Sequence, residues 1–318
     1  MSIEKVVYIA VKGWEHHLAC EMSQLSSVQQ LFPGGWLAPK PSGGAGDPVW
    51  FQNQWLEPEI LPFESISEAA KLLRARNGLW VEHIFQCHRR AALIKELLPQ
   101  FRPKPLNFLS PLPKAQIGAW TLLDKGTLLC SRTTSSPFPG GRAEFVLPHE
   151  QPPSMAYLKL LEALTLIQHY YGIRPQAGQR CLDAGACPGG WTWILTQLGC
   201  QVLAVDRSPL DARLQQYSSV TFLRGDGFKV TPARLKREGW ARFDWIVSDM
   251  AAYPAKALEW VQIWLEEPIP PNMIITLKLQ GEPDWNTIRT FQTLPGGTVI
   301  HLFHNKHELT FFYVGPSS

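Results

Sequence analysis

A chain of 318 residues, 45% of them apolar, is long enough to bury two ordinary cores, and no apolar run in it approaches the roughly 18 residues of a membrane-crossing helix. Its formal charge of +3 is too small to argue for nucleic-acid binding, so any such argument has to rest on local patches. Six cysteines without a C-x-x-C spacing read as reduced core residues rather than a metal centre or a disulfide framework. The opening MSIEKVVYIAV has no basic region leading into a signal core, so the chain is expected to be cytosolic.

In chain order, the β-branched run Val6 to Val11 predicts a first strand, and Gly13-Trp14-Glu15 opens an amphipathic helix to about Leu25. Gly34-Gly35 and the Pro/Gly/Ser-rich stretch Pro39 to Pro48 read as loop, and Val49 to Leu56 as another strand. Ser65-Ile66-Ser67-Glu68 has the capping-box pattern ahead of a helix that Asn77-Gly78 ends. Leu79 to Phe85 reads as a strand and Arg89 to Leu98 as a helix. Gln116 to Leu123 and Thr127 to Arg132, joined by Asp124-Lys125-Gly126, read as a hairpin. This mixture predicts a smaller α+β domain over residues 1–145. Arg74, Arg76, Arg89, Arg90, Lys95, Arg102 and Lys104 fall within thirty-one residues, as a surface that tracks an RNA backbone requires. Taken singly, each is better read as a solvated charge.

Ser136 to Gly141 and Pro148 to Pro153 bracket a linker, and residues 146–318 form the second domain. A helix is expected from about Ser154 to Tyr170. Strands are expected near 180–184, 201–205, 219–224, 243–248, 273–278, 297–303 and 308–314, alternating with helices. That order predicts an α/β fold, a Rossmann-like doubly wound sheet of seven strands. The short turn His304 to His307 makes the last two strands an antiparallel hairpin closing one edge. Within it, Arg180 to Ala184 runs through a Gly/Pro loop into the apolar segment Trp191 to Leu198: strand, tight turn, helix, the opening unit of a nucleotide-binding sheet. Gly185, Gly189 and Gly190 let the backbone approach a ligand closely. The loop reads D-x-G-x-x-P-G-G, with Asp183 where a dinucleotide's phosphates would be repelled, which suits a cationic ligand such as the amino acid end of S-adenosylmethionine. Asp206, ending the second strand, is placed to accept hydrogen bonds from both hydroxyls of a ribose. Asp226, in Gly225-Asp226-Gly227-Phe228, is placed for an adenine amino group, or else for a plain turn. Asp183, Asp206, Asp249 and Lys278 all end strands, where an open parallel sheet binds its ligands. Lysine has no packing reason to end the apolar run Met273 to Leu277, whereas Asp249 could also be a helix N-cap. His301, His304 and His307 have no matching ligand run and imply no metal. Trp260 and Trp264 have helical spacing and read as core.

The segment DAGACPGGWT resembles the first motif of the FtsJ-like ribose 2'-O-methyltransferases, most closely the RlmM group that modifies large-subunit ribosomal RNA. Resemblance continues through SPFPGG, PPS-x-x-x-LKL-x-EA, DGFK, SDM, PAK, LKL and the terminal HEL-T run. It implies S-adenosylmethionine as cofactor, with Asp183, Gly185, Cys187, Pro188, Gly189, Gly190, Trp191, Asp206, Asp226 and Asp249 around it, and RNA as partner. It also implies a K-D-K-E tetrad of Lys159, Asp249, Lys278 and Glu308. In it, Lys278 serves as base or hydroxyl-orienting cation, Asp249 as its partner, and Lys159 and Glu308 as positioners. Burial and Lys159 push the Lys278 pKa down while Asp249 and Glu308 push it up, a balance the sequence leaves open. The opening GWEHHLACEM is similar to the start of the group's N-terminal domain, which works with a THUMP module to hold RNA. The middle of the N-terminal region is shorter here, so only a degenerate THUMP-like part is implied. Met155 stands where the group often has an arginine. Two rival readings remain: a non-catalytic RNA-binding or ribosome-assembly protein on a methyltransferase fold, and a methyltransferase for small molecules or protein.

Overall fold

The computed structural model describes residues 4–76, 78–112, 114–240 and 242–315. The chain divides into two units: residues 1–43, 47–106 and 112–144, and residues 44–46, 107–111 and 145–318.

The first unit carries β1 (Lys5–Ala10), α1 (Glu15–Met22), β2 (Gln29–Phe32), β3 (Gly35–Pro39), β4 (Phe51–Trp55), β5 (Glu59–Pro62), α2 (Ile66–Arg74), β6 (Leu79–Glu82), α3 (His88–Glu96), β7 (Ile117–Leu122) and β8 (Thr127–Ser131). These make two four-stranded sheets, in the orders β2-β3-β1-β4 and β5-β8-β7-β6. Three strands, β2, β3 and β5, have no counterpart in the expected elements. Gln29–Phe32 and Glu59–Pro62 are short and mostly exposed, so neither shows an apolar alternation. The first makes a hairpin with β3 around Pro33-Gly34, so Gly35 begins a strand rather than continuing a loop. Ser65 caps α2 by accepting from Glu68 N, and the Glu68 carboxylate reaches back to Glu64 N. The helix stops at Arg74, before Gly78; Asn77 lies outside the described residues. Leu73, Ile94, Trp120 and Leu128 centre the core under α2 and α3. A second cluster of Val7, Ile9, Phe32, Trp55, Ala119 and Leu129 joins the two sheets.

The second unit carries α4 (Tyr157–Tyr171), β9 (Arg180–Ala184), α5 (Gly190–Gln197), β10 (Gln201–Asp206), β11 (Val220–Arg224), α6 (Pro232–Arg237), β12 (Trp245–Ser248), α7 (Pro254–Leu265), β13 (Asn272–Lys278), α8 (Trp285–Thr293), β14 (Gly297–Ile300) and β15 (Glu308–Tyr313). They form one seven-stranded sheet, β11-β10-β9-β12-β13-β15-β14. The first five strands of that order are mutually parallel, and β15 runs antiparallel to both β13 and β14. The strand that closes the edge is thus β14, while β15 inserts between β13 and β14 and is buried along its whole length. Strand order reverses at β9, so the crevice between the carboxyl ends of β9 and its neighbours is where such a sheet takes a ligand. Trp260 and Trp264 lie on the buried face of α7 with ring centroids 6.1 Å apart.

Cys130, Cys181 and Cys200 are buried, but Cys20 is exposed and Cys87 and Cys187 are half-buried, so core placement accounts for only half of the cysteines. Among the described residues, no cluster of His, Cys, Asp and Glu could hold a metal ion, and no helix is long and apolar enough to cross a membrane.

Candidate active site

The glycine loop after β9 is held from both sides. Gly185 N and Ala186 N donate to Val205 O on β10, at 2.8 and 3.2 Å. Gly185 has φ +81°, and a Cβ there would come within 2.4 Å of Met250 Cγ; Gly189 has φ +116°, and a Cβ there would meet Leu214 at 2.1 Å. Both positions require glycine, for backbone conformation and because side chains cross the loop closely. Trp191 is buried, and its indole donates to Ala156 O at 2.8 Å, tying the first turn of α5 to the start of α4. Pro188 O accepts from Asp211 N, and Gly190 lies where Ser154 leaves no room for a side chain.

Three carboxylates line up along the strand ends in different states. Asp206 accepts from Cys187 N with Oδ2 (3.0 Å) and from Ser208 N with Oδ1 (2.8 Å). Each of its oxygens keeps a lone pair, so the carboxylate still presents two adjacent acceptors, the complement of a vicinal diol. Asp226 accepts from Phe228 N at 3.0 Å and pairs with Arg207. Its carboxyl is desolvated by its surroundings, but the Arg207 bond and the Phe228 amide outweigh that and hold it below the ordinary value.

Asp183 is only 1% exposed and takes a 2.6 Å hydrogen bond from Thr192 Oγ1. Burial, with help from Asp249, pushes its carboxyl up to about 7 against the Thr192 hydrogen bond. Because the folded pKa is raised above that of the unfolded chain, the folded protein binds the extra proton. This stabilisation is complete below about pH 4 and is lost as pH rises through about 7. Asp183→Asn should abolish that loss. The stability difference between wild type and variant, from urea unfolding at several pH values, should drift on the order of 4 kcal/mol against the wild type across that window. A constant difference would show that Asp183 is ionised throughout.

Lys159, Asp249, Lys278 and Glu308 come together as a closed ring of alternating charge. Lys159 Nζ lies 2.8 and 2.7 Å from the two Asp249 oxygens and 3.0 Å from Glu308 Oε1. Lys278 Nζ lies 2.6 Å from Asp249 Oδ1 and also contacts Glu308 Oε2. Strand pairing explains the convergence: β12, which Asp249 follows, is the parallel neighbour of β13, and Lys278 on β13 stands directly opposite Glu308 on β15. Lys159 reaches them from the first turn of α4. Asp249 does not cap α7, whose N-cap is Tyr253. Lys159 and Glu308 are buried, while the side chains of Lys278 and Asp249 keep 23% and 19% of their exposure, so the ring opens on the Lys278–Asp249 side. Burial opposes the charged form of Lys278, but Asp249 and Glu308 together outweigh it and hold the ammonium above its ordinary pKa.

Glu162 belongs to this construction although sequence reasoning passed over it. One helical turn after Lys159, it is buried and accepts from Phe303 N (2.8 Å), His304 N (3.1 Å) and His304 Nδ1 (2.8 Å). It thereby pins the turn leading into β15, the strand that delivers Glu308. The available signal was an acid in the apolar run LKLLEALTLI, the same anomaly that drew attention to Lys278. Met155, just before α4, is 60% exposed.

In the first unit, the basic residues divide. Arg76 is paired with Glu59 at 2.8 and 2.6 Å, and Lys95 with Glu82. Arg90 lies over the Phe63 ring and donates to Glu64 O, and Arg74 donates to Leu97 O. Arg89, Arg102 and Lys104 are exposed.

A mixed α/β sheet whose order reverses at a glycine-loop strand, with charged residues gathered at the carboxyl ends, defines a methyltransferase-type unit. Residues 153–308 match the model of the FtsJ-like methyltransferase family. The chain is similar to "Ribosomal RNA large subunit methyltransferase M" of Alkalilimnicola ehrlichii, 34% identical over 193 residues, covering 57% of this chain and 51% of that protein. The protein of the same name from Xanthomonas oryzae pv. oryzae is 35% identical over 188 residues, covering 55% of this chain and 51% of that protein. The chain thus spans about half the length of the curated relatives it matches. Among solved structures, a putative ribosomal RNA methyltransferase from Plasmodium falciparum aligns over 51% of this chain and 97% of its own, with 16% identity and a TM-score of 0.39.

Proposed function

We propose that the chain is an S-adenosylmethionine-dependent ribose 2'-O-methyltransferase acting on ribosomal RNA in the cytoplasm, with its first unit, residues 1–145, holding the RNA. The observation that carries the reading is the closed Lys159–Asp249–Lys278–Glu308 ring at the sheet's carboxyl edge, in a segment that matches the FtsJ-like family. Support for the cofactor comes from Asp206, whose two amide-held oxygens each retain an acceptor for the ribose diol, and from the loop from Gly185 to Gly190 beside it. Asp226 would then meet the adenine edge. Bound there, S-adenosylmethionine supplies an electrophilic methyl group.

The protein has to orient a ribose hydroxyl and remove its proton as the new bond forms. Lys278, on the open side of the ring and charged in the free protein, donates to the hydroxyl oxygen and holds it in line. For Lys278 to take up the proton it must first lose its own, and a second cation brought beside it favours that loss. Asp249 fixes the direction of the ammonium, and Lys159 and Glu308 hold Asp249 and Lys278 at their separations. The test is incubation of the purified chain with ribosomal RNA and methyl-labelled S-adenosylmethionine, followed by alkaline hydrolysis. Label in an alkali-resistant dinucleotide is expected, because a 2'-O-methyl blocks cleavage of its own linkage. Label confined to mononucleotides would place the methyl on a base and overturn the reading. Absence of cofactor binding by calorimetry would favour a non-catalytic RNA-binding protein instead.

A further inference from the structure

The first unit contains a cavity of about 280 Å³ bounded by β1, β4, the end of β6, β7 and the 140–142 segment. One of its walls is Asn53, a residue 2% exposed. Asn53 Oδ1 accepts from Gln54 N (2.9 Å), Ser136 N (3.0 Å) and Ser135 Oγ (3.4 Å). Two of these donors are backbone amides, so the carboxamide cannot be turned round, and its NH2 group is fixed as a donor. That Nδ2 is buried and has no acceptor among the described residues, and a buried donor left without a partner is unfavourable until a ligand supplies the acceptor. Lys12 and Arg142 line the same cavity, and neither forms an ion pair among the described residues. Of the two carboxylates on its wall, Glu82 is paired with Lys95, while Glu15 accepts from Gly13 N at 3.0 Å and keeps its charge, so the two cations leave the wall net positive. Burial, and then Arg142, hold the His83 imidazole below its ordinary pKa, so His83 adds a neutral hydrogen-bonding group to the wall. Gln52 also lines the cavity, its amide donating to Gly141 O at 3.3 Å, and much of the remaining wall is apolar: Ile9, Trp55, Val81, Ile84 and Ala119.

Two cations and a fixed neutral donor call for an anion with several acceptor oxygens. The volume exceeds what a bare oxyanion fills, and the apolar wall suits a flat, uncharged remainder. We propose that this cavity binds one nucleotide unit of a single-stranded RNA, its phosphate on Lys12, Arg142 and Asn53 Nδ2 and its base against the Trp55–Ile84 wall. The assignment deepens the reading of the first unit as the RNA-holding part and rests on it.

The test titrates the isotope-labelled full chain with adenosine 5'-monophosphate, adenosine and inorganic phosphate in separate arms, and measures retention of a single-stranded RNA and of ribosomal RNA on a filter. Resonance shifts at Asn53 Nδ2 and around Trp55 with the monophosphate, much weaker with either fragment alone, are expected. Arg142→Glu and Lys12→Glu, both at exposed positions, should each weaken the monophosphate about tenfold or more, the loss of one charge-assisted hydrogen bond. Asn53→Asp should do the same. Unaltered thermal unfolding of the two surface variants separates binding from folding. Equal shifts with inorganic phosphate alone would reduce the cavity to an anion site and overturn the nucleotide assignment. RNA retention that survives Arg142→Glu unchanged would overturn the cavity while leaving the RNA-holding role intact, and wild-type chain that retains no RNA would overturn both.

Discussion

Lys278→Ala is expected to lower methyl transfer by about 10²–10⁴-fold, the contribution of a positioned proton-transfer group, while S-adenosylmethionine affinity measured by calorimetry stays nearly unchanged. The split follows from geometry. Among the described residues the Lys278 ammonium bonds only to Asp249 and Glu308, whereas Asp206 and Asp226, the acids proposed for the ribose and adenine of the cofactor, have separate partners in Cys187, Ser208, Phe228 and Arg207. Lys278→Arg distinguishes the two roles that remain for this side chain. Arginine keeps the positive charge but cannot give up its proton in a protein. If Lys278 only orients the hydroxyl, Lys278→Arg should keep a substantial fraction of activity and kcat should vary little with pH. If Lys278 accepts the proton, the arginine variant should be as inactive as the alanine one. Wild-type kcat should then rise with pH to a plateau, because the neutral amine is the active form. Near-normal turnover in Lys278→Ala would remove the ring from the chemistry altogether.

How much of this could be read before any coordinates follows from where each signal resides. The central strands β9, β10, β12 and β13 of the second unit are buried on both faces, so they appear as nearly continuous apolar runs, and the acids and lysine at their ends stand out by contrast. β2 and β5 have largely exposed side chains, and nothing in Gln29–Phe32 or Glu59–Pro62 alternates. Lys159 and Glu308 are ordinary in sequence. They acquire meaning only because α4 and β15 bring them within 3.0 Å of each other, 149 positions apart. The state of Lys278 was undecidable for the same reason: burial and two carboxylates act in opposite directions, and only their actual separations show that the carboxylates prevail. The capping acid of the β14–β15 turn was hidden differently, since Glu162 looks like one polar residue on a helix until the amides of Phe303 and His304 are seen to converge on it.

The ring also makes a prediction about stability that is independent of catalysis. Its charges alternate and sum to zero, so removing one leaves the others unbalanced in a largely buried place. Glu308→Leu leaves two ammonium groups facing the Asp249 carboxylate, and Lys159→Met leaves two carboxylates facing the Lys278 ammonium. Each single variant should lose about 3–5 kcal/mol in urea unfolding, the usual consequence of stranding a buried charge. The double variant leaves the neutral Lys278–Asp249 pair, which lies on the more open side, and two apolar side chains where Lys159 and Glu308 met. Its loss should therefore fall short of the sum of the single losses by about 0.5–3 kcal/mol, the range for residues in direct contact. Methyl transfer should not return with the stability, because Asp249 and Lys278 would keep each other but lose the two groups that fix their positions. Strictly additive losses would mean that Lys159 and Glu308 do not act on one another. Recovery of activity together with stability would mean that Lys159 and Glu308 serve only to hold the fold.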